Sequence, residues 1–257
     1  MNMALTDLSI VLPAFLAGCL VLVTHVPLGT QILNRGIVFI DLALAQIAAL
    51  GVIVAGMLEL DPQGLATQLA AAVAALLGAG LLTWTEKRWP EVQEAQIGVL
   101  FVLAATGGIL LLANNPHGGE HLHDLLAGQI LWVRYEQLLL PALGSVLIAV
   151  LLLATRQRLH PLLFYVVFAL AVTASVQLVG VYLVFASLIV PGLATRNFRR
   201  WRLAAGYGVG IAGYGSGLVL STLFDLPSGA LIVWCIALCA ILCFWLGPRS
   251  AIATAKT

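Results

Sequence analysis

Residues 179–206 read VGVYLVFASLIVPGLATRNFRRWRLAAG. No charge interrupts the run up to Ala194, and then Arg196, Arg199, Arg200 and Arg202 arrive together with Trp201. An apolar helix that leaves a bilayer on its cytoplasmic side has this form, because short cytoplasmic loops gather the Lys and Arg of a membrane protein. The whole chain agrees. Of 257 residues, 61% are hydrophobic and 9% charged, with a mean hydropathy of +1.06, whereas a soluble domain carries roughly 25% charge. The expected fold class is therefore an all-α integral membrane protein. A net charge of +1 gives no basic excess for nucleic acid. The four cysteines lie inside apolar stretches and offer no disulfide framework.

Crossing a hydrocarbon core about 30 Å thick takes roughly 17 to 25 helical residues. Nine stretches approach that length: residues 8–26, 37–58, 65–84, 97–113, 138–154, 162–178, 179–194, 203–224 and 230–246. The expected number of transmembrane helices is about nine, or eight if the sixth and seventh, separated by residues 177–180, prove short or broken. Residues 1–7 hold no basic residue ahead of the first run, so that run is expected to stay as a span rather than be removed as a signal peptide. With nine spans, Arg35, Lys87, Arg88, Arg156, Arg158, Arg196, Arg199, Arg200, Arg202, Arg249 and Lys256 share one side and Arg134 stands alone on the other. The amino terminus is then outside and the carboxyl terminus in the cytoplasm.

Two connections depart from plain loops. Residues 114–137, NNPHGGEHLHDLLAGQILWVRYEQ, are too polar for a span and too apolar at 125–133 for a free loop, so an external re-entrant or interfacial helix is expected. Residues 195–206 are basic and aromatic, which fits a short helix parallel to the membrane. Its simplest role is to anchor anionic lipid headgroups.

The last third of the chain resembles the metal-importing family of ABC transporter permeases. The residues that carry the likeness are Val179–Gly180, the apolar helix ending IVPGLAT at Thr195, the basic segment after it, and the turn Asp225-Leu226-Pro227-Ser228-Gly229. The likeness is strongest over residues 179–246 and continues more weakly, but collinearly, over 8–113. It implies one permease domain over 1–257 that pairs as a homodimer, is driven by a separate ATP-binding subunit and receives its ion from an extracytoplasmic metal-binding protein. The cargo it implies is zinc or manganese, a transported substrate rather than a bound cofactor. Carried over by position, the ATPase-coupling segment lies within 191–206 and uses Pro191, Thr195, Arg196, Arg199, Arg200, Trp201 and Arg202. The sequence supports a motor elsewhere. It contains no G-x-x-x-x-G-K-[ST] phosphate loop, and Lys87 and Lys256 lack the glycines such a loop requires. The chain is thus expected not to be an enzyme.

Two departures from the family pattern stand out. Relatives carry Asp and, four residues later, His on the second helix. Here Asp41 is followed by Ala45, and Gln46 occupies the usual His place, so oxygen ligands are kept and the imidazole is lost. That change favours harder ions over zinc at this point. The cytoplasmic link 155–161 is also shorter than in relatives, which implies less contact with the motor there.

An ionisable group in a span costs roughly 2.5 to 3.5 kcal/mol and normally faces a cavity, a partner or a substrate path. Asp41 is therefore read as a pathway carboxylate, against the plainer role of pairing with Arg35 or capping its helix. Outside the spans, residues 117–124, HGGEHLHD, place His117, His121 and Asp124 on one helical face with Glu120 and His123 beside it, a set suited to capturing zinc. A water-facing polar loop is the plainer reading. His117, Glu120 and His121 also match the H-x-x-E-H motif of zinc hydrolases, but Gly118 and Gly119 would cost a helix there about 2 kcal/mol. A membrane metallohydrolase and a secondary transporter are the alternatives to an ABC permease. Cys235, Cys239 and Cys243 on one face of the last helix, and Gly206, Gly208, Gly210, Gly213, Gly215 and Gly217 on the one before it, are read as close helix packing.

Overall fold

The computed structural model describes residues 3–62, 64–113, 126–128, 130–155, 159–198 and 200–248. Among them are nine α-helices: α1 Met3–Arg35, α2 Ile40–Met57, α3 Leu65–Arg88, α4 Gln93–Leu112, α5 Tyr135–Ala154, α6 Pro161–Val179, α7 Val181–Ala194, α8 Arg202–Phe224 and α9 Ser228–Leu246. Short 3₁₀ turns occupy Pro90–Val92 and Ile130–Trp132. Eight helices are long and apolar enough to cross a membrane; α7, with 14 residues, is shorter. At 1.5 Å per residue it reaches about 21 Å, less than a hydrocarbon core. Gly180 makes the break. It lies at φ +81°, where a side chain would be strained, so the chain turns between α6 and α7 instead of continuing as one helix.

The most buried helices, α1, α2, α6 and α7, form the centre, while α4 and α5 present exposed apolar side chains such as Leu103, Leu110, Leu147 and Leu153. α1 packs on α7, α8 and α5, and α2 packs on α3, α4 and α6. Four of the six glycines of α8 pack closely as their spacing suggests; a Cβ on Gly208 would meet nothing within 4 Å, and one on Gly215 would meet Phe15 at an ordinary 3.7 Å. Gly206 and Gly210 face Val26 and Leu22 of α1, and Gly213 and Gly217 face Ile236 and Ile232 of α9, at distances that leave no room for a Cβ. α8 stays continuous. Cys235 is buried and Cys239 and Cys243 partly so, all as free thiols on α9.

α1 runs well past residue 26, where its hydropathy falls. Gly29 seats against the Leu188 backbone and Thr30 Oγ1 donates to the Pro27 carbonyl at 2.8 Å, so packing and a local bond carry the polar end. Pro27 has no N–H, which leaves the Val23 carbonyl without its helical donor. The Tyr207 hydroxyl of α8 supplies one at 3.1 Å. Tyr207→Phe is expected to cost about 1 kcal/mol, read as a lower thermal midpoint in detergent. In a Pro27→Ala background, where residue 27 regains its N–H, the cost should shrink to a few tenths of a kcal/mol.

The connections sort into two sets by contact. In one, Arg35 donates to the Leu159 carbonyl at 3.4 Å and lies 4.1 Å over the Phe164 ring, the Phe39 amide donates to Glu94 Oε1 at 3.3 Å, and Arg196 lies 5.5 Å over Phe244. In the other, Gly128 meets Val179 and Gly180, and Gly229 meets Ala127. Loops expected on the same side of the membrane do meet.

Candidate functional site

Asp41 is the second residue of α2, not a turn inside a span, because residues 37–39 form a turn and the helix starts at Ile40. It is 1% exposed, and neither carboxylate oxygen has a hydrogen-bond partner. The pairing with Arg35 offered by the plainer reading is absent: that guanidinium is taken up by Leu159 and Phe164. The positive end of the α2 dipole favours a negative charge at Asp41, but no donor satisfies the oxygens.

Gln46 is also buried. In a continuous helix, five residues separate side chains by about 140° around the axis, so α2 does not present Asp41 and Gln46 on one face. Among the described residues no three His, Cys, Asp or Glu side chains gather in a way that could hold a metal ion. His117, Glu120, His121, His123 and Asp124 lie outside the described residues.

The segment expected to couple to an ATPase, within 191–206, is described except for Arg199. Pro191 and Thr195 are buried, and Thr195 Oγ1 donates to the Pro191 carbonyl at 2.8 Å, closing the end of α7. The Phe198 amide donates to the Thr195 carbonyl at 3.0 Å, and the Phe198 ring packs on Gly247. These bonds make residues 195–198 a turn, and α8 begins at Arg202, so the short membrane-parallel helix expected here is not formed by the described residues. Arg196 is directed onto Phe244. Arg200 and Trp201, the latter 67% exposed, face outward. Arg202 opens α8 with its Nε buried and unpartnered.

Of the expected re-entrant segment, residues 126–127 are helical and Ile130–Trp132 form a 3₁₀ turn. Ile130 is fully buried and packs towards α1, so this part of the connection belongs to the folded body.

The structure also shows a polar group that the sequence reading passed over. His25, in the middle of α1, is 0% exposed. Its Nδ1 lies 2.9 Å from the Val21 carbonyl and 3.0 Å from Thr24 Oγ1, while Nε2 has no partner. Gln31 Nε2 and Thr173 Oγ1 are likewise buried and unpartnered. The available signal was a histidine inside an apolar span, the same signal that marked Asp41.

The sequence matches the ABC 3 transport family (ABC-3) over residues 7–165 and 156–247. It is similar to the manganese transport system membrane protein MntC of Halalkalibacterium halodurans, with 26% identity over 88% of this chain and 84% of the relative. It is also similar to the high-affinity zinc uptake system membrane protein ZnuB of Haemophilus influenzae, with 22% identity over 91% of this chain and 96% of the relative. In fold it resembles PsaBC from Streptococcus pneumoniae in complex with Fab, with a TM-score of 0.76 over 96% of this chain and 97% of that chain at 20% identity.

Proposed function

The chain belongs to the ABC 3 transport family, and from that premise we propose that it is the permease subunit of an ABC importer carrying a divalent metal ion, zinc or manganese, across the bacterial inner membrane. Relatives along nearly the whole length are named for manganese and for zinc transport. The observation in this chain that carries the reading is Asp41. A carboxylate buried in an apolar interior with both oxygens bare costs several kcal/mol, and a passing divalent cation is the partner that compensates it. With oxygen donors and no second-helix imidazole, the harder manganese ion suits this point better than zinc.

ATP hydrolysis falls to a separate subunit, since the sequence has no phosphate loop. That subunit docks on the connection between α7 and α8, where Arg200 and Trp201 are exposed. The set of connections holding Arg35, Lys87, Arg88 and Arg196 faces the cytoplasm by the positive-inside rule. The set around Gly128, Gly180 and Gly229 faces an extracytoplasmic binding protein, and two copies of the chain enclose the path. The test is reconstitution with a cognate ATP-binding subunit and metal-binding protein. Radioactive manganese or zinc should accumulate with ATP and fail to do so with a non-hydrolysable analogue. Uptake driven by an ion gradient without ATP would sink the reading in favour of a secondary transporter.

The external histidines are assigned to capture rather than conduction. Replacing His117, His121 and His123 with Ala should raise the external zinc concentration needed for half-maximal uptake and leave the saturated rate nearly unchanged. A histidine must be neutral to bind metal and its reference pKa is about 6.5, so wild-type affinity should weaken as pH falls toward ~5.5. The triple variant should lose most of that sensitivity. Superimposable wild-type and variant curves would mark the cluster as a solvated loop; a collapse of the saturated rate would put it in the path.

A further inference from the structure

Three stretches of backbone meet at one end of the bundle with no side chain between them. Residues 126 and 127 are helical and Gly128 follows at φ +69°, the left-handed conformation in which glycine commonly ends a helix. A Cβ on Gly180 would lie 2.6 Å from the Gly128 Cα and 2.8 Å from the Ala127 carbonyl carbon. One on Gly229, in the first turn of α9, would lie 2.5 Å from the Ala127 carbonyl oxygen. The backbone at 127–128 is therefore clamped between the start of α7 and the start of α9.

The far ends of the same two helices are joined as well. α7 finishes in the turn closed by Thr195. α9 ends beside it, with Phe244 under the Arg196 guanidinium and Gly247 against the Phe198 ring, where a Cβ would come within 2.6 Å. Between the two junctions α7 and α9 pack along each other. Closely packed helices shift as bodies rather than deform, so a displacement at one junction has to appear at the other.

We propose that α7 and α9 form a transmission unit, in which a push on residues 126–128 reaches the turn at 195–198 that begins the coupling segment. This rests on the importer reading above, where a loaded binding protein on one face has to alter ATP hydrolysis on the other. Coupling over such a distance requires a contiguous packed element that both sites bias, and this pair of helices is tied at both ends. Gly128, Gly180 and Gly229 are positioning residues: their absent side chains let the backbones touch.

The test uses the complete complex in vesicles, with ATP hydrolysis measured with and without metal-loaded binding protein. Gly229→Ala is the informative variant. Alanine is the better helix former, so α9 keeps its fold, while the added methyl displaces the Ala127 carbonyl. The expected result is that loaded binding protein still docks on Gly229→Ala with wild-type affinity but no longer stimulates ATP hydrolysis; loss of docking itself would overturn the proposal. Full stimulation in Gly229→Ala would overturn the proposal. Hydrogen exchange on the wild-type complex gives a second measurement that needs no variant. Addition of loaded binding protein should change protection at 126–134 and at 195–201 together, and a change at one end without the other would overturn the proposal too. If the wild type shows no ATP-driven uptake at all, the importer reading itself fails and the unit has nothing to transmit.

Discussion

Asp41→Ala is expected to abolish metal uptake while the protein reaches the membrane at the wild-type level. The carboxylate is 1% exposed and neither oxygen has a partner. A residue held for structure would have its hydrogen bonds filled, since buried polar groups are almost always paired. Removing Asp41 breaks no bond and relieves a desolvation cost, so the thermal midpoint in detergent should hold or rise. Uptake and stability are thus expected to move in opposite directions. Normal uptake by Asp41→Ala, or a falling midpoint with uptake lost, would assign Asp41 to structure. A control at Gln46→Ala should give a partial loss at most, because α2 turns that side chain about 140° away from Asp41.

The second large effect is expected at the coupling turn. Reversing charge at Arg199 and Arg200 with Glu should separate ATP hydrolysis from uptake. The assembled complex hydrolyses ATP, but hydrolysis no longer drives metal into the vesicle. Arg200 is exposed and Trp201 is 67% exposed beside it, and surface substitutions of this kind usually change stability by no more than about 0.5 kcal/mol. The fold should therefore survive. Arg196→Glu should behave differently, because Arg196 lies on Phe244 and its loss loosens α9 against the turn. If the double Glu variant assembles and transports normally, the segment is a lipid anchor.

Several features were legible before the fold was known. The helices that cross the membrane were marked by runs of apolar residues, and their order around the basic loops matched the contacts between connections. Close packing of α8 was signalled by its glycines, although the division into a face on α1 and a face on α9 was not, and a short or broken helix near Gly180 was one of the two options the apolar runs left. Helix ends were less legible. α1 continues to Arg35 through Thr30, Gln31 and Asn34, held there by contacts with α7 that no window of hydropathy contains. The basic, aromatic segment after α7 suggested a helix parallel to the membrane, but residues 195–198 are a turn, because Thr195 and Phe198 are tied to Pro191 and Gly247.

The sequence by itself determined the solvent, the approximate spans and the family, since these depend on which residues occur and in what local order. Whether Asp41 has a partner, whether Arg35 reaches it, and whether Gly128 touches Gly180 depend on residues far apart along the chain. Those answers came from tertiary structure, because a hydrogen bond or a backbone contact of a few ångströms is set by how helices pack in three dimensions, and composition carries no record of that distance.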